Sequence, residues 1–128
     1  MFSHVMIGSN DLERSKRFYD ALFASLGAKP GRQDDKGRLS YAHNGSVFMV
    51  TSPIDGQAAT HANGGTIGFA VDGPEAAHRW QEAGAGAGGT VCEDPPGIRS
   101  NAFGSLYLAY LRDPDGNKLC ALHRTPAA

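Results

Sequence analysis

The sequence predicts an α+β fold of two tandem βαβββ modules that form a curled, cup-shaped mixed sheet with a central cleft. Two observations lead there. Each half of the chain reads as a strand, an amphipathic helix and three further strands. The halves also align: His4 to Phe18 and Thr66 to Trp80 each span 14 residues, so a shift of 62 positions superposes strand on strand and helix on helix. Similarly, "NGSVFMV" and "DGNKLCA" align on Gly45 and Gly116, which sets Met49 opposite Cys120. At 128 residues the chain fits a single domain, 1–128, with module 1 at about 1–52, a linker at about 53–63 and module 2 at about 64–124.

The first strand is the apolar run "FSHVMIGS", and "NDLERSKRFYDALFASLG" follows with Leu12, Phe18, Leu22 and Leu26 at helical spacing. Asp11 stands at the expected N-cap and Gly27 at the expected C′ position. Strands are expected at Ala28 to Gln33, Arg38 to Ala42 and Ser46 to Thr51, divided by the turns "DDKG" and "HNG". The small, polar stretch "SPIDGQAATHANGG" reads as the linker. "TIGFAVDG" then begins the second unit, and "PEAAHRWQEAGA" opens its helix on a proline. The last three strands fall at Gly89 to Glu93, Leu106 to Arg112 and Asn117 to Leu122. The glycine run "GAGAGGT" follows a helix and lacks a GK[ST] ending, so it is a helix stop rather than a phosphate loop.

A net charge of −1 with scattered basic residues gives no field for a nucleic acid or an anionic membrane. No segment approaches the roughly 20 apolar residues that a spanning helix needs, and the N-terminus lacks a secretory pattern, so a cytoplasmic location is expected. Cys92 and Cys120 have neither zinc nor redox spacing and are expected as free thiols.

If the strands curl into a cup, equivalent inward positions converge, and the repeat nominates His4, Met49, Thr66 and Cys120, with Met6 and Gly68 two residues along. His4 is a candidate base and Cys120 a candidate nucleophile; a Cys–His pair would lower the thiol pKa. On residue type alone, a strand histidine bonded to a carbonyl and a buried cysteine are the plainer readings.

The opening "HVMIGSNDLERSKRFYDALFASLG" and closing "RDPDGNKLCAL", together with "NGGTIGFAVDG" and "EDPPGIRSNAFGSLYLAYLRDPDGNK", resemble the vicinal oxygen chelate superfamily, in particular a glyoxalase-like branch of small bacterial proteins. That superfamily includes glyoxalase I, fosfomycin-resistance transferases, extradiol dioxygenases and bleomycin-resistance proteins, and the resemblance covers essentially the whole chain. It implies a divalent metal cofactor held by His or Gln on the first strand, His on the fifth, Glu on the eighth and sometimes Glu on the fourth. This chain matches only His4; Thr66, Cys120 and Met49 stand at the other positions, so the ligand set is incomplete. The resemblance also implies a homodimer.

In this fold the loop "EDPPGIRSNAFGS" can cover the mouth of the cup, which makes Arg99, Asn101 and Phe103 candidate substrate contacts, Arg99 for an anionic oxygen. Of Tyr107 and Tyr110, on opposite faces of one strand, only one can point inward; Tyr107 joins Met49 and Thr66 as a candidate contact. His43 is a rim candidate, whereas His61, His78 and His123 read as surface or structural. The expected function is action on, or binding of, a small carbonyl- or thiol-containing metabolite, as a lyase, isomerase or transferase of the glyoxalase type. The alternative is a non-catalytic sequestering protein of the bleomycin-resistance type.

Overall fold

Asp11 caps the first helix as its sequence position requires: its carboxylate accepts from the Arg14 backbone N–H at 3.0 Å. The computed structural model describes residues 1–125; residues 126–128, the end of the expected domain, lie outside the described residues. The elements are β1 (Val5–Gly8), α1 (Leu12–Ala24), β2 (Arg32–Gln33), β3 (Leu39–His43), β4 (Ser46–Thr51), β5 (Ile67–Ala70), α2 (Pro74–Gly86), β6 (Thr90–Val91), β7 (Gly97–Asn101), β8 (Gly104–Arg112) and β9 (Lys118–Arg124). β1 and β5, and likewise α1 and α2, start 62 positions apart, which is the repeat the sequence predicts.

The strands form two separate sheets, one per module, ordered β1-β4-β3-β2 and β5-β9-β8-β6, with β7 also paired to β8. In both, the first strand lies parallel to the last: Met6 opposes Met49 and Gly68 opposes Cys120. The β3–β4 turn has both central residues at positive φ, Asn44 at 49° and Gly45 at 83°, the conformation that "NG" favours because neither residue pays heavily for it. One expectation fails. The stretch from Glu93 to Ser105 is not simply a loop, since Gly97–Asn101 pairs antiparallel with β8 to make a hairpin.

Alternation along the strands sorts the side chains onto two faces. Val5, Ile7, Phe48 and Val50 of the first sheet, and Ile67, Phe69, Leu119 and Ala121 of the second, turn inward onto one core that also takes in α1 and α2. Phe69 links the modules, with its ring centroid 5.2 Å from Phe23, 5.5 Å from Phe48 and 6.3 Å from Trp80. The helices cross where α2 carries Gly84; a side chain there would collide with Leu111 and Leu22, so the glycine lets the two helices approach.

The β8–β9 turn, "RDPDGN", ties the modules together. The buried Asp113 accepts from the Tyr19 hydroxyl at 2.6 Å, from the Asp115 and Asn117 backbone N–H groups at 2.9 Å, and from Asn117 Nδ2 at 2.9 Å. Asn117 Nδ2 also donates to the Gly8 carbonyl at 3.3 Å. Asp115 accepts from the Asn10 backbone N–H at 2.9 Å and from the Arg14 guanidinium at 2.8 Å. Three polar side chains of one turn thus hold the end of β1 and the start of α1. The linker is fixed at the same corner, through paired bonds between the Asn10 side chain and the Ala59 backbone.

Candidate functional site

Residues of the opposite parity lie on the outer faces of the sheets. The first sheet presents Met6, Met49 and Ser40 there, and the second presents Gly68, Cys120, Tyr110, Leu108 and Lys118. Because the inner faces carry the larger apolar residues and bury against each other, the two outer faces of one chain point away from each other. His4, Met49, Thr66 and Cys120 therefore do not close into a ring within one chain, which, of the two closures left open by the repeat, leaves the one that uses a partner's module. The registers Met6 to Met49 and Gly68 to Cys120 nevertheless put the repeat-related positions at equivalent places on the two faces.

Cys120 is 6% exposed yet stands outside the main core cluster, packed on the outer face beside Tyr110 and below Gly68. A Cβ at Gly68 would lie 3.3 Å from its sulfur, so the glycine makes room for the thiol. Burial pushes the thiol pKa up; the Lys118 ammonium draws it partly back and Glu93 pushes it up again. His4 has no part in that balance, and its Nδ1 is 2.8 Å from the Ser3 hydroxyl. Within one chain the expected Cys–His pair is absent, and the isolated, buried thiol is the poorer nucleophile for it.

Tyr110 lies between two cations, with Lys118 Nζ 5.0 Å and Arg99 Cζ 5.8 Å from its ring centroid. Lys118 is also ion-paired with Glu93. The Tyr110 hydroxyl is raised by desolvation first, then by Cys120 and Glu93, with Lys118 and Arg99 opposing. This residue, rather than Tyr107, shares the Cys120 face. Tyr107 turns to the helix side, where its hydroxyl is 2.6 Å from His78 Nε2. Strand parity decides between the two tyrosines, and the parity of β8 becomes visible only once its neighbours are known.

The remaining candidates also take definite positions. The Arg99 guanidinium is spent on carbonyls, donating to Pro95 and Asp94 at 2.9 and 3.0 Å and to Gly97 at 3.0 Å, with a longer bond to Leu108 at 3.4 Å. It fastens the Pro95–Pro96 corner to β8, which leaves little donor capacity for the anionic oxygen assigned to it from sequence. Asn101 closes the β7–β8 turn by accepting from the Phe103 N–H at 2.8 Å, and Phe103 projects from the tip, 89% exposed. Thr66 is exposed just before β5. His43 and His4 both border a cavity of about 370 Å³ at one end of the inner core, and Met49, Thr66 and Cys120 do not.

The donors at the expected ligand positions, His4 at the cavity and Thr66, Met49 and Cys120 away from it, do not fit the divalent metal that the fold family implies. Imidazole, hydroxyl, thioether and a raised thiol are a poor set for a hard cation, and among the described residues no three His, Cys, Asp or Glu side chains gather to hold an ion. Among the described residues, no helix is long and apolar enough to cross a membrane.

The chain matches the Glyoxalase/Bleomycin resistance protein/Dioxygenase superfamily over residues 1–121. It is 58% identical to a glyoxalase/bleomycin resistance protein from Albidiferax ferrireducens, with a TM-score of 0.93 over 97% of this chain and 99% of that one. Two further structures share the fold at lower identity. A hypothetical protein from S. aureus is 21% identical with a TM-score of 0.75, covering 96% of this chain and 93% of that one. The fosfomycin resistance protein FosX from Mesorhizobium loti is 16% identical with a TM-score of 0.67, covering 98% and 92%. No curated protein matches the chain. With the paired modules, the parallel first and last strands of each sheet and the family match over nearly its whole length, the chain belongs to the Glyoxalase/Bleomycin resistance protein/Dioxygenase superfamily.

Proposed function

We propose that this protein is a glyoxalase-like cleft protein that takes a small carbonyl- or thiol-containing metabolite between two outer sheet faces, contributed by the two chains of a homodimer. The observation that carries the reading is the orientation of those faces. One chain supplies Met6 and Met49 on one side and Gly68, Cys120 and Tyr110 on the other, and only a second copy can set the two kinds of face together. The free thiols of Cys92 and Cys120 accord with a reducing, cytoplasmic setting.

Within such a cleft Met6 and Met49 give a polarisable apolar wall, and Tyr110 with Lys118 gives a polar one. Chemistry of the lyase, isomerase or transferase type would have to proceed without the usual metal ligand set. The second reading, a binding or sequestering protein without catalysis, is favoured by the raised Cys120 thiol and by the absence of a base bonded to it among the described residues.

The test is the metal content of the wild type and of His4→Ala by elemental mass spectrometry, after reloading with Ni²⁺, Mn²⁺, Fe²⁺ or Zn²⁺ and dialysis, beside a calorimetric screen of carbonyl and thiol metabolites. The reading expects no retained metal in either protein and a metabolite whose binding is lost in Met49→Glu. Near-stoichiometric metal that disappears in His4→Ala, or binding indifferent to Met49, would sink it.

A further inference from the structure

The cavity of about 370 Å³ at the open end of the core lies apart from the outer faces, with β5 as the wall between: Gly68 borders the cavity and backs onto Cys120 on the other side. Its floor is made by inner-face and helix residues, namely Val5, Phe23, Leu26, Phe48, Ile67 and Phe69. Its polar groups come from two places, Ser3 and His4 just before β1, and His43, Asn44 and Ser46 around the β3–β4 turn. Its size falls in the range of about 300–1,000 Å³ that small-molecule pockets occupy, and an apolar floor under a few convergent polar groups is their usual make-up.

We propose that this cavity is a second ligand site, for a small organic anion with an aromatic or short aliphatic body and a carboxylate-like head. The body is matched by the aromatic floor, where Phe23, Phe48 and Phe69 already meet edge to face with centroids 5.2 to 5.5 Å apart. The head is matched by the polar groups of the lining. Two imidazoles, one carboxamide and the Ser46 hydroxyl supply donors there, and no Asp or Glu is among the lining residues. The Ser3 hydroxyl occupies His4 Nδ1, which leaves Nε2 for a ligand. Tyr41, which also lines the cavity, commits its hydroxyl to Asp20 at 2.8 Å and so presents only its ring edge.

The test is isothermal titration calorimetry of the full chain with 2-naphthoate and with its uncharged analogue naphthalene-2-methanol. One naphthoate is expected to bind per chain, the alcohol about tenfold more weakly. Ala28→Phe, which fills the cavity from the segment after α1, is expected to weaken naphthoate binding by about tenfold or more. His43→Leu is expected to weaken naphthoate severalfold and leave the alcohol unchanged. Val5→Phe fills the same space from the inner face of β1 and serves if Ala28→Phe does not fold. No saturable binding, equal affinity for acid and alcohol, or undiminished binding in a folded filled variant would overturn the proposal. So would conversion of a dimer to a monomer by Ala28→Phe in sedimentation, because the space would then be the seat of a second copy.

Discussion

Replacing Asp113 with alanine removes the acceptor of four hydrogen bonds in the corner that joins the modules. Two of the donors left behind, the Tyr19 hydroxyl and Asn117 Nδ2, belong to buried side chains, and at about 1–3 kcal/mol for each unsatisfied group they set a cost of about 2–6 kcal/mol. Of the two backbone N–H groups, that of Asp115 is half-buried and that of Asn117 buried, so they add to this cost rather than reduce it. Tyr19→Phe removes one of the four donors and leaves Asp113 with three, for which the expected cost is smaller, about 1.5–3 kcal/mol for a bond to a charged acceptor. Asp34→Ala, which breaks an exposed pair with Arg38, serves as the surface control and should shift the midpoint far less than Asp113→Ala. Urea unfolding followed through Trp80, the single tryptophan and fully buried, gives all three values from midpoint shifts at constant slope. The reasoning is refuted if Asp113→Ala costs no more than Asp34→Ala, or if Tyr19→Phe costs as much as Asp113→Ala.

Three further outcomes follow from the same structure. Burial first, and the Asp113 carboxylate second, hold the Tyr19 hydroxyl protonated well above its ordinary range, and burial with Asp20 does the same for Tyr41. In the unfolded chain a tyrosine releases its proton near pH 10, so the stability these groups contribute is fully present below about pH 10 and falls as pH rises beyond it, by up to about 1.4 kcal/mol per pH unit for each. Chemical denaturation from pH 8 to 11 should show that fall, shallower in Tyr19→Phe; a flat profile would contradict it. Native Cys120 should alkylate slowly at neutral pH and faster as pH rises, because burial raises its thiol; mass spectrometry of a Cys92→Ser variant that found rapid labelling at pH 7, abolished in His4→Ala, would contradict this. Gly84→Ala sends a methyl into Leu111, Leu22 and Phe18 at the helix crossing and should cost about 1–3 kcal/mol, and a neutral effect on the urea midpoint would show that the helices give way.

The sequence carried most of the fold because its periodicity is strong where burial is strong. The helix from Leu12 to Ala24 follows from Phe18 and Leu22, both fully buried, and β4 occupies Ser46 to Thr51 as the alternation of Phe48 and Val50 demands. β7 escaped because its single large apolar residue, Ile98, is exposed and two prolines precede it, so the segment has no pattern of burial to read. For the site, the repeat identified equivalent positions correctly, and the registers bear out the pairing of Met49 with Cys120 across the modules. It could not say which sheet faces meet. That depends on whether the larger apolar set, Phe48 and Val50 with Phe69 and Leu119, is buried inside one chain, and on the clamp from Asp113 and Asn117, whose turn residues look the same in sequence whether they cap a hairpin or hold a neighbouring helix.

The most direct test of the outer-face account is a covalent link between Met49→Cys and the native Cys120 in a Cys92→Ser background, made with a short bismaleimide and followed on a denaturing gel. Within one chain the two thiols stand on opposite outer faces with the whole core between them. A dimeric cleft therefore predicts a covalent dimer that needs both cysteines and that neither single-cysteine variant forms. A link closed inside a single chain, or no link in a protein that sediments as a monomer, would contradict the account.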